Sequence, residues 1–118
     1  MNLSNRVKGS ERDFSENANK ELRFLWRLLI KQYDNTMDYF KNNNVKNITK
    51  ALDIGDRILA FSEKYEKNHI KRLKKGKCSV QTGMIFVELV GVYTRISNRL
   101  SNIAERIPEI QKHYYKLD

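Results

Sequence analysis

One run of the sequence limits the fold more than any other. From Phe86 onward, the residues Phe86, Leu89, Tyr93, Ile96, Leu100, Ile103, Ile107 and Ile110 alternate steps of three and four without a break. Only an α-helix gathers such positions on one side, because 3.6 residues complete each turn. A seam this long is heptad-like and suits extended packing against antiparallel helices. The flank beside it is small and polar: Gly83, Val87, Gly91, Thr94, Asn98, Ser101 and Glu105. Small side chains let another helix approach closely. Pro108 removes a backbone donor, which predicts a kink or stop there.

Two more segments show the same period. Phe14, Ala18, Leu22, Leu25, Leu29, Tyr33 and Phe40 form a stripe that Trp26, Leu28 and Met37 widen, and it ends at the turn-forming Asn42-Asn43-Asn44. Trp26 and the tyrosines read as core or seam residues. A second helix is expected from Asn47 or Thr49, either of which can cap it. Ala51, Ile54, Ile58, Phe61 and Tyr65 form one of its stripes, and Ile48, Leu52, Gly55, Leu59, Ser62, Glu66, His69 and Leu73 form the neighbouring one. Gly76 stands where a helix commonly ends in a left-handed residue, and Ser79 is placed to cap the third helix.

Helices are therefore expected over roughly residues 12–43, 47–75 and 79–116. Short connections force neighbouring helices to run antiparallel. The resulting fold class is all-α, an antiparallel three-helix bundle. The 118 residues suffice for one domain spanning 1–118, with 40% hydrophobic residues to fill a core and a polar start, residues 1–11, expected to fray. Period-two alternation with turn signals is absent, which argues against strands. No apolar run approaches the roughly 20 residues that cross a bilayer, and the start lacks the apolar stretch of a secretory signal. A lone Cys78 gives no sign of an oxidising compartment. The expected location is cytoplasmic.

The net charge of +9 admits nucleic acid, an anionic membrane surface or an acidic partner. Its densest cluster is Lys71-Arg72-Leu73-Lys74-Lys75-Gly76-Lys77. No aromatic residue is interleaved there for base stacking, and no DNA-reading motif surrounds it. These cations read first as a solvated helix end complementing the negative C-terminal dipole. On that reading all five are surface positions, replaceable by glutamine without loss of fold.

The stretch from Tyr65 carries a resemblance. Within it, His69, Arg72, Leu73, Gly76 and Cys78 form one run, followed by Gly83 and Phe86, then by Arg95, Ile96, Asn102, Ile103, Ala104 and Glu105. This ordered set resembles the PhoU-like domain, in the version found C-terminal to the membrane part of bacterial sodium/phosphate cotransporter family proteins. In that family one helix ends in His-x-x-Arg-Leu-x-x-Gly-x-Cys, and the next carries Gly-x-x-Phe and then a run like Glu-Arg-Ile-Gly-Asp-His-Ala-x-Asn-Ile-Ala-Glu. The likeness is close over about the last half of the chain and extends as a helix layout over nearly all of it.

The resemblance implies a three-helix unit that regulates phosphate uptake without catalysis. It would be a cytoplasmic appendage, at the inner face of the membrane, of a phosphate transporter that is a separate partner or the same polypeptide. Full PhoU proteins carry two such repeats and this chain has room for one, so the expected partner is a second copy or a second PhoU-like repeat. The interface is expected on the face carrying Gly83, Val87 and Gly91, and the basic end, Lys71, Arg72, Lys74, Lys75 and Lys77, is expected to face anionic lipid headgroups or an acidic loop of the transporter. The family also binds metal through Glu-x-x-x-Asp pairs, whose i and i+4 carboxylates share a helix face. Here the corresponding positions are Thr94 and Asn98 in the third helix and Gly55 and Leu59 in the second, and the family His after them is Arg99. None of these supplies a carboxylate, so no metal or other cofactor is expected.

The remaining reactive side chains do not assemble into a site. His69 has only Glu66 and Cys78 as candidate co-ligands nearby in sequence, and a histidine bonded within a helix junction is the simpler reading. Cys78 reads as a small buried turn residue, and His113 has no evident partner. No Ser/His/Asp set, phosphate-cradling glycine loop or paired catalytic carboxylates can be drawn, so no enzyme activity is expected. The expected function is a regulatory interaction domain of phosphate transport. The alternative is a basic helical module for nucleic acid or an anionic membrane surface, with nucleic acid the less expected of the two.

Overall fold

The computed structural model describes residues 14–110. These form three helices, α1 (Glu16–Asn42), α2 (Lys46–Lys74) and α3 (Val80–Ile110), each packed against the other two. Among the described residues there is no strand. The chain is an all-α three-helix bundle. The expected fraying of residues 1–11, and His113, lie outside the described residues.

The helix ends follow local chemistry. Ser15 caps α1, its Oγ accepting from the Ala18 amide at 3.1 Å. Asn43 ends α1 in the left-handed region, at φ 58°, and its amide donates to the Tyr39 carbonyl. The expected caps at Asn47 or Thr49 are displaced: α2 already begins at Lys46, whose amide donates to Asn44 Oδ1 at 3.2 Å. Asn47 lies one residue inside the helix, buried, with its side-chain amide on the Asp38 carboxylate. Gly76 has φ 70°, and the Lys77 amide returns to the Arg72 carbonyl at 2.9 Å, closing α2 in a left-handed stop. Ser79 Oγ accepts from the Thr82 amide at 3.1 Å and opens α3. That helix does not stop at Pro108; it continues to Ile110.

The core lies on seams rotated from the most apolar ones. In α1 the buried seam runs through Ala18, Leu22, Leu25, Leu29, Gln32, Thr36 and Tyr39 in steps of four and three, with Glu21 and Leu28 buried beside it. The expected stripe runs on through Tyr33 and Phe40, but those residues are 49% and 64% exposed, and Trp26 is 49% exposed. In α3 the seam passes through Gly83, Phe86, Val90, Ser97, Leu100, Ala104 and Ile107. It shares Phe86, Leu100 and Ile107 with the expected seam but leans toward the small flank, leaving Ile96, Ile103 and Ile110 each at least 40% exposed.

A polar exchange between helices explains the rotation. Ser97 Oγ donates to Gln32 Oε1 at 2.7 Å, and Gln32 Nε2 donates to Ser101 Oγ at 2.9 Å and to the Ser97 carbonyl at 3.3 Å. Thr36 donates to the Gln32 carbonyl at 2.9 Å. A fully buried amide costs little only when its bonds are made, and here both its oxygen and its nitrogen are engaged. Gly55 of α2 makes the space: a Cβ there would sit 2.5 Å from Ser101 Oγ and 2.8 Å from Gln32 Nε2.

Candidate functional site

The positions expected to stand in for acidic pairs, Gly55, Leu59, Thr94 and Asn98, carry no carboxylate. Gly55 backs the Gln32 amide, and Thr94 donates to the Val90 carbonyl at 2.9 Å and to Ser62 Oγ at 3.2 Å. Leu59 and Asn98 are exposed. Among the described residues no three His, Cys, Asp or Glu side chains come close enough to share an ion. Glu66 and Glu105 are both exposed, whereas His69 is buried.

Of the residues that carry the PhoU-like resemblance, His69, Arg72, Cys78, Gly83 and Phe86 meet at one end of the bundle, whereas Arg95, Ile96, Asn102, Ile103 and Glu105 lie exposed along α3. His69 stacks on Phe86, ring centroids 5.4 Å apart, and the Arg72 guanidinium lies 5.1 Å from the centre of the same Phe86 ring. Gly83 faces the imidazole so closely that a Cβ would fall 2.4 Å from His69 Cε1. Cys78 lines the same small cavity, of about 10 Å³, as His69, Thr82 and Gly83. Gly83 is therefore an internal contact of the bundle and not available to a second chain, which corrects its expected place on an outer interface. Val87 is exposed and Gly91 half-buried, so these three residues do not share one open face.

Among the described residues His69 Nδ1 is buried without a hydrogen-bond partner. Burial, followed by the Arg72 charge, pulls the imidazole below its ordinary pKa, with Glu21 opposing. Below an unfolded value near 6.5 the unfolded chain takes up a proton that the folded one refuses. This contribution to stability is intact above that value and is lost as pH falls toward the folded pKa. Melting curves from about pH 7.5 down to about pH 5 should show Tm falling, with a shallower slope in His69→Gln. An identical slope in both proteins would remove His69 as the cause.

Arg72 is also misplaced by the surface reading. Its Nη2 lies 2.8 Å from Glu21 Oε1 of α1, and the two side chains are only 12% and 10% exposed. The other Glu21 oxygen accepts from Asn68 Nδ2 at 2.8 Å. The remaining cations of the cluster separate. Lys71, Lys75 and Lys77 line a groove between α1 and α2 of about 680 Å³, whereas Lys74 does not.

From α1 the same groove receives Lys20, Arg23 and Arg27, with Ser15 and Asn17 at the helix start. Its apolar wall is Phe24 and Tyr65, the latter held protonated because burial and the nearby Glu21 raise its pKa. Among the described residues, seven cationic side chains thus surround one carboxylate, Glu21, which Arg72 and Asn68 already occupy. Sequence reasoning singled out only the α2 half. The spacing of Lys20, Arg23 and Arg27 on one helical face was the available signal, but nothing local says which face of α2 it meets. Compared with protein-family models, curated proteins and solved structures, the chain matches none.

Proposed function

We propose that this chain is a non-catalytic regulatory domain of PhoU-like kind, acting on sodium-dependent phosphate transport from the cytoplasmic side of the membrane. The observation that carries the reading is the meeting of His69, Arg72, Gly83 and Phe86, drawn from the two resembling runs, in one packed junction. A group of matching residues that touch one another reads as a shared way of building the helix junction; the exposed matches at Arg95, Ile96, Asn102, Ile103 and Glu105 add nothing to it. The three-helix architecture is also the one the resemblance implies.

Such a domain acts by helix–helix contact, and the bundle offers a surface for it. Trp26, Tyr33 and Phe40 recur every seventh residue along α1, as do Ile96, Ile103 and Ile110 along α3, and all six are exposed. The Trp26 ring meets Tyr93 of α3 at 5.9 Å, so the stripes adjoin there. Contiguous exposed apolar surface marks an interaction site. The partner on this reading is a second copy, a second PhoU-like repeat or the transporter itself.

The test is phosphate uptake, and its response to external phosphate, in cells carrying the chain. Deleting the domain, or replacing Tyr33, Ile96 and Ile103 with lysine, is expected to alter that response. An unchanged response in both would end the regulatory reading. A second reading, a basic module for an anionic membrane surface or nucleic acid, draws on the groove cations, and salt-sensitive affinity for vesicles or DNA would favour it.

A further inference from the structure

We infer that the groove between the first half of α1 and the last half of α2 binds a compact, multiply charged phosphate-rich anion through Arg23, Arg27, Lys71, Lys75 and Lys77. This inference does not depend on the PhoU-like reading, since it uses only the charge and shape of the groove.

Among the described residues the charge in the groove is unbalanced. Among the described residues these five cations form no ion pair; the ion pairs present are Lys20 with Glu16 and Arg72 with Glu21. Arg23 and Arg27 stand four residues apart on α1, as do Lys71 and Lys75 on α2. Like charges at that spacing repel on a helix surface. Here two such pairs are turned toward one concave space, and a bound anion is what would relieve them.

Among the described residues one carboxylate, Glu21, lines the groove, and it does not offset them. Both oxygens of Glu21 are engaged, one by Arg72 and one by Asn68, each at 2.8 Å. Glu21 therefore forms part of the floor and is already neutralised toward an incoming anion. The start of α1 adds further positive potential, because Ser15 and Asn17 line the same groove and the first amides of a helix point toward its N-terminus.

Size and geometry select the ligand. The groove's volume of about 680 Å³ lies within the range of small-molecule sites. Its cations converge from two helices instead of following an extended track, which suits a short ligand of high charge density over a polymer. Arginine forks match phosphate oxygens with paired N–H donors, and lysines supply movable point charges. One orthophosphate would leave most of the five cations unused, whereas a chain of phosphates can engage all of them. The same chemistry is found in free oligophosphates and in phosphorylated lipid headgroups; tighter binding to tripolyphosphate than to vesicles doped with a bisphosphorylated phosphoinositide assigns the first source, and the reverse order the second.

The experiment is calorimetric titration of the purified chain with inorganic tripolyphosphate, at about 50 and 200 mM salt. Saturable one-to-one binding, weaker at the higher salt and accompanied by a rise in Tm, is the expected result. The triple variant Arg23→Gln, Arg27→Gln, Lys75→Gln should lose affinity about 10-fold or more, since each change removes a charge-assisted contact. Lys46→Gln, Lys50→Gln and Arg57→Gln together, outside the groove, should leave affinity unchanged. Circular dichroism checks that each variant keeps its helices; should the triple variant lose them, the singles Arg27→Gln and Lys75→Gln give the same comparison. No saturable binding at low salt would overturn the inference, as would equal loss in the two triple variants. Binding to phosphatidylcholine vesicles doped with phosphatidylserine but not to tripolyphosphate would overturn it in favour of a flat membrane contact, and preference for a duplex oligonucleotide would overturn it in favour of a polymer.

Discussion

Arg72→Gln is expected to cost about 3 kcal/mol or more of unfolding free energy, read from urea denaturation. The cost arises because the change strands Glu21, a carboxylate 10% exposed, with Asn68 as its remaining side-chain partner. Removing one member of a buried ion pair typically costs about 3–5 kcal/mol, more than the pair itself contributes, because a desolvated charge is left behind. The lost guanidinium contact with Phe86, at 5.1 Å, adds to this. By contrast, glutamine at the exposed Lys71 or Lys75 should change stability by no more than about 0.5 kcal/mol. The double variant Glu21→Gln, Arg72→Gln should recover part of the loss, since neither charge is then stranded. An Arg72→Gln protein within about 1 kcal/mol of the parent would show that this pair does not hold α1 to α2 as described.

Gly83→Ala carries the second largest effect, and two terms compete in it. Alanine is favoured over glycine inside a helix by about 1 kcal/mol. Against this, the new methyl would meet His69 Cε1 at 2.4 Å and Nε2 at 3.0 Å. The ring cannot readily retreat, because it is buried and stacked on Phe86. Forcing an extra methyl into packed surroundings costs about 1–3 kcal/mol, so the clash should win and Tm should fall. Truncating the ring removes the clash, so alanine at position 83 should be tolerated better in a His69→Ala background than in the parent. Equal penalties in the two backgrounds would mean that the close approach of α2 and α3 is not set by this pair.

The caps show how far local chemistry reaches. Ser79 and Gly76 act as their residue types suggest, one accepting from the Thr82 amide in the first turn of α3, the other adopting φ 70° at a helix end. Asn47 does not, because its amide is drawn to Asp38 across the turn between α1 and α2. The junction of His69, Arg72, Gly83 and Phe86 was half legible. Its members are marked by the resemblance, but in the sequence Gly83 reads as an outward-facing small residue and Arg72 as a solvated cation. Each is reassigned by a side chain on another helix: His69 fills the space over Gly83, and Glu21 takes the charge of Arg72.

By itself the sequence determined that the chain is helical, how many helices it forms between residues 14 and 110, and nearly where each ends. Those properties come from a 3.6-residue period and from capping chemistry, both of which act between residues close together in the chain. Only the tertiary structure decided which flank of each apolar seam would be buried. In α1 and α3 it chose the side with Gln32, Ser97 and Ser101 over the side with Tyr33, Ile96 and Ile103. Hydrophobicity alone favours the second choice. Complementary donors and acceptors on facing helices, together with small residues that allow close approach, make the first one possible, and that complementarity does not exist until the helices meet. The basic groove has the same origin. Lys20, Arg23 and Arg27 are separated from Lys71, Lys75 and Lys77 by a long run of chain, and antiparallel packing of α1 on α2 brings the two sets around one space.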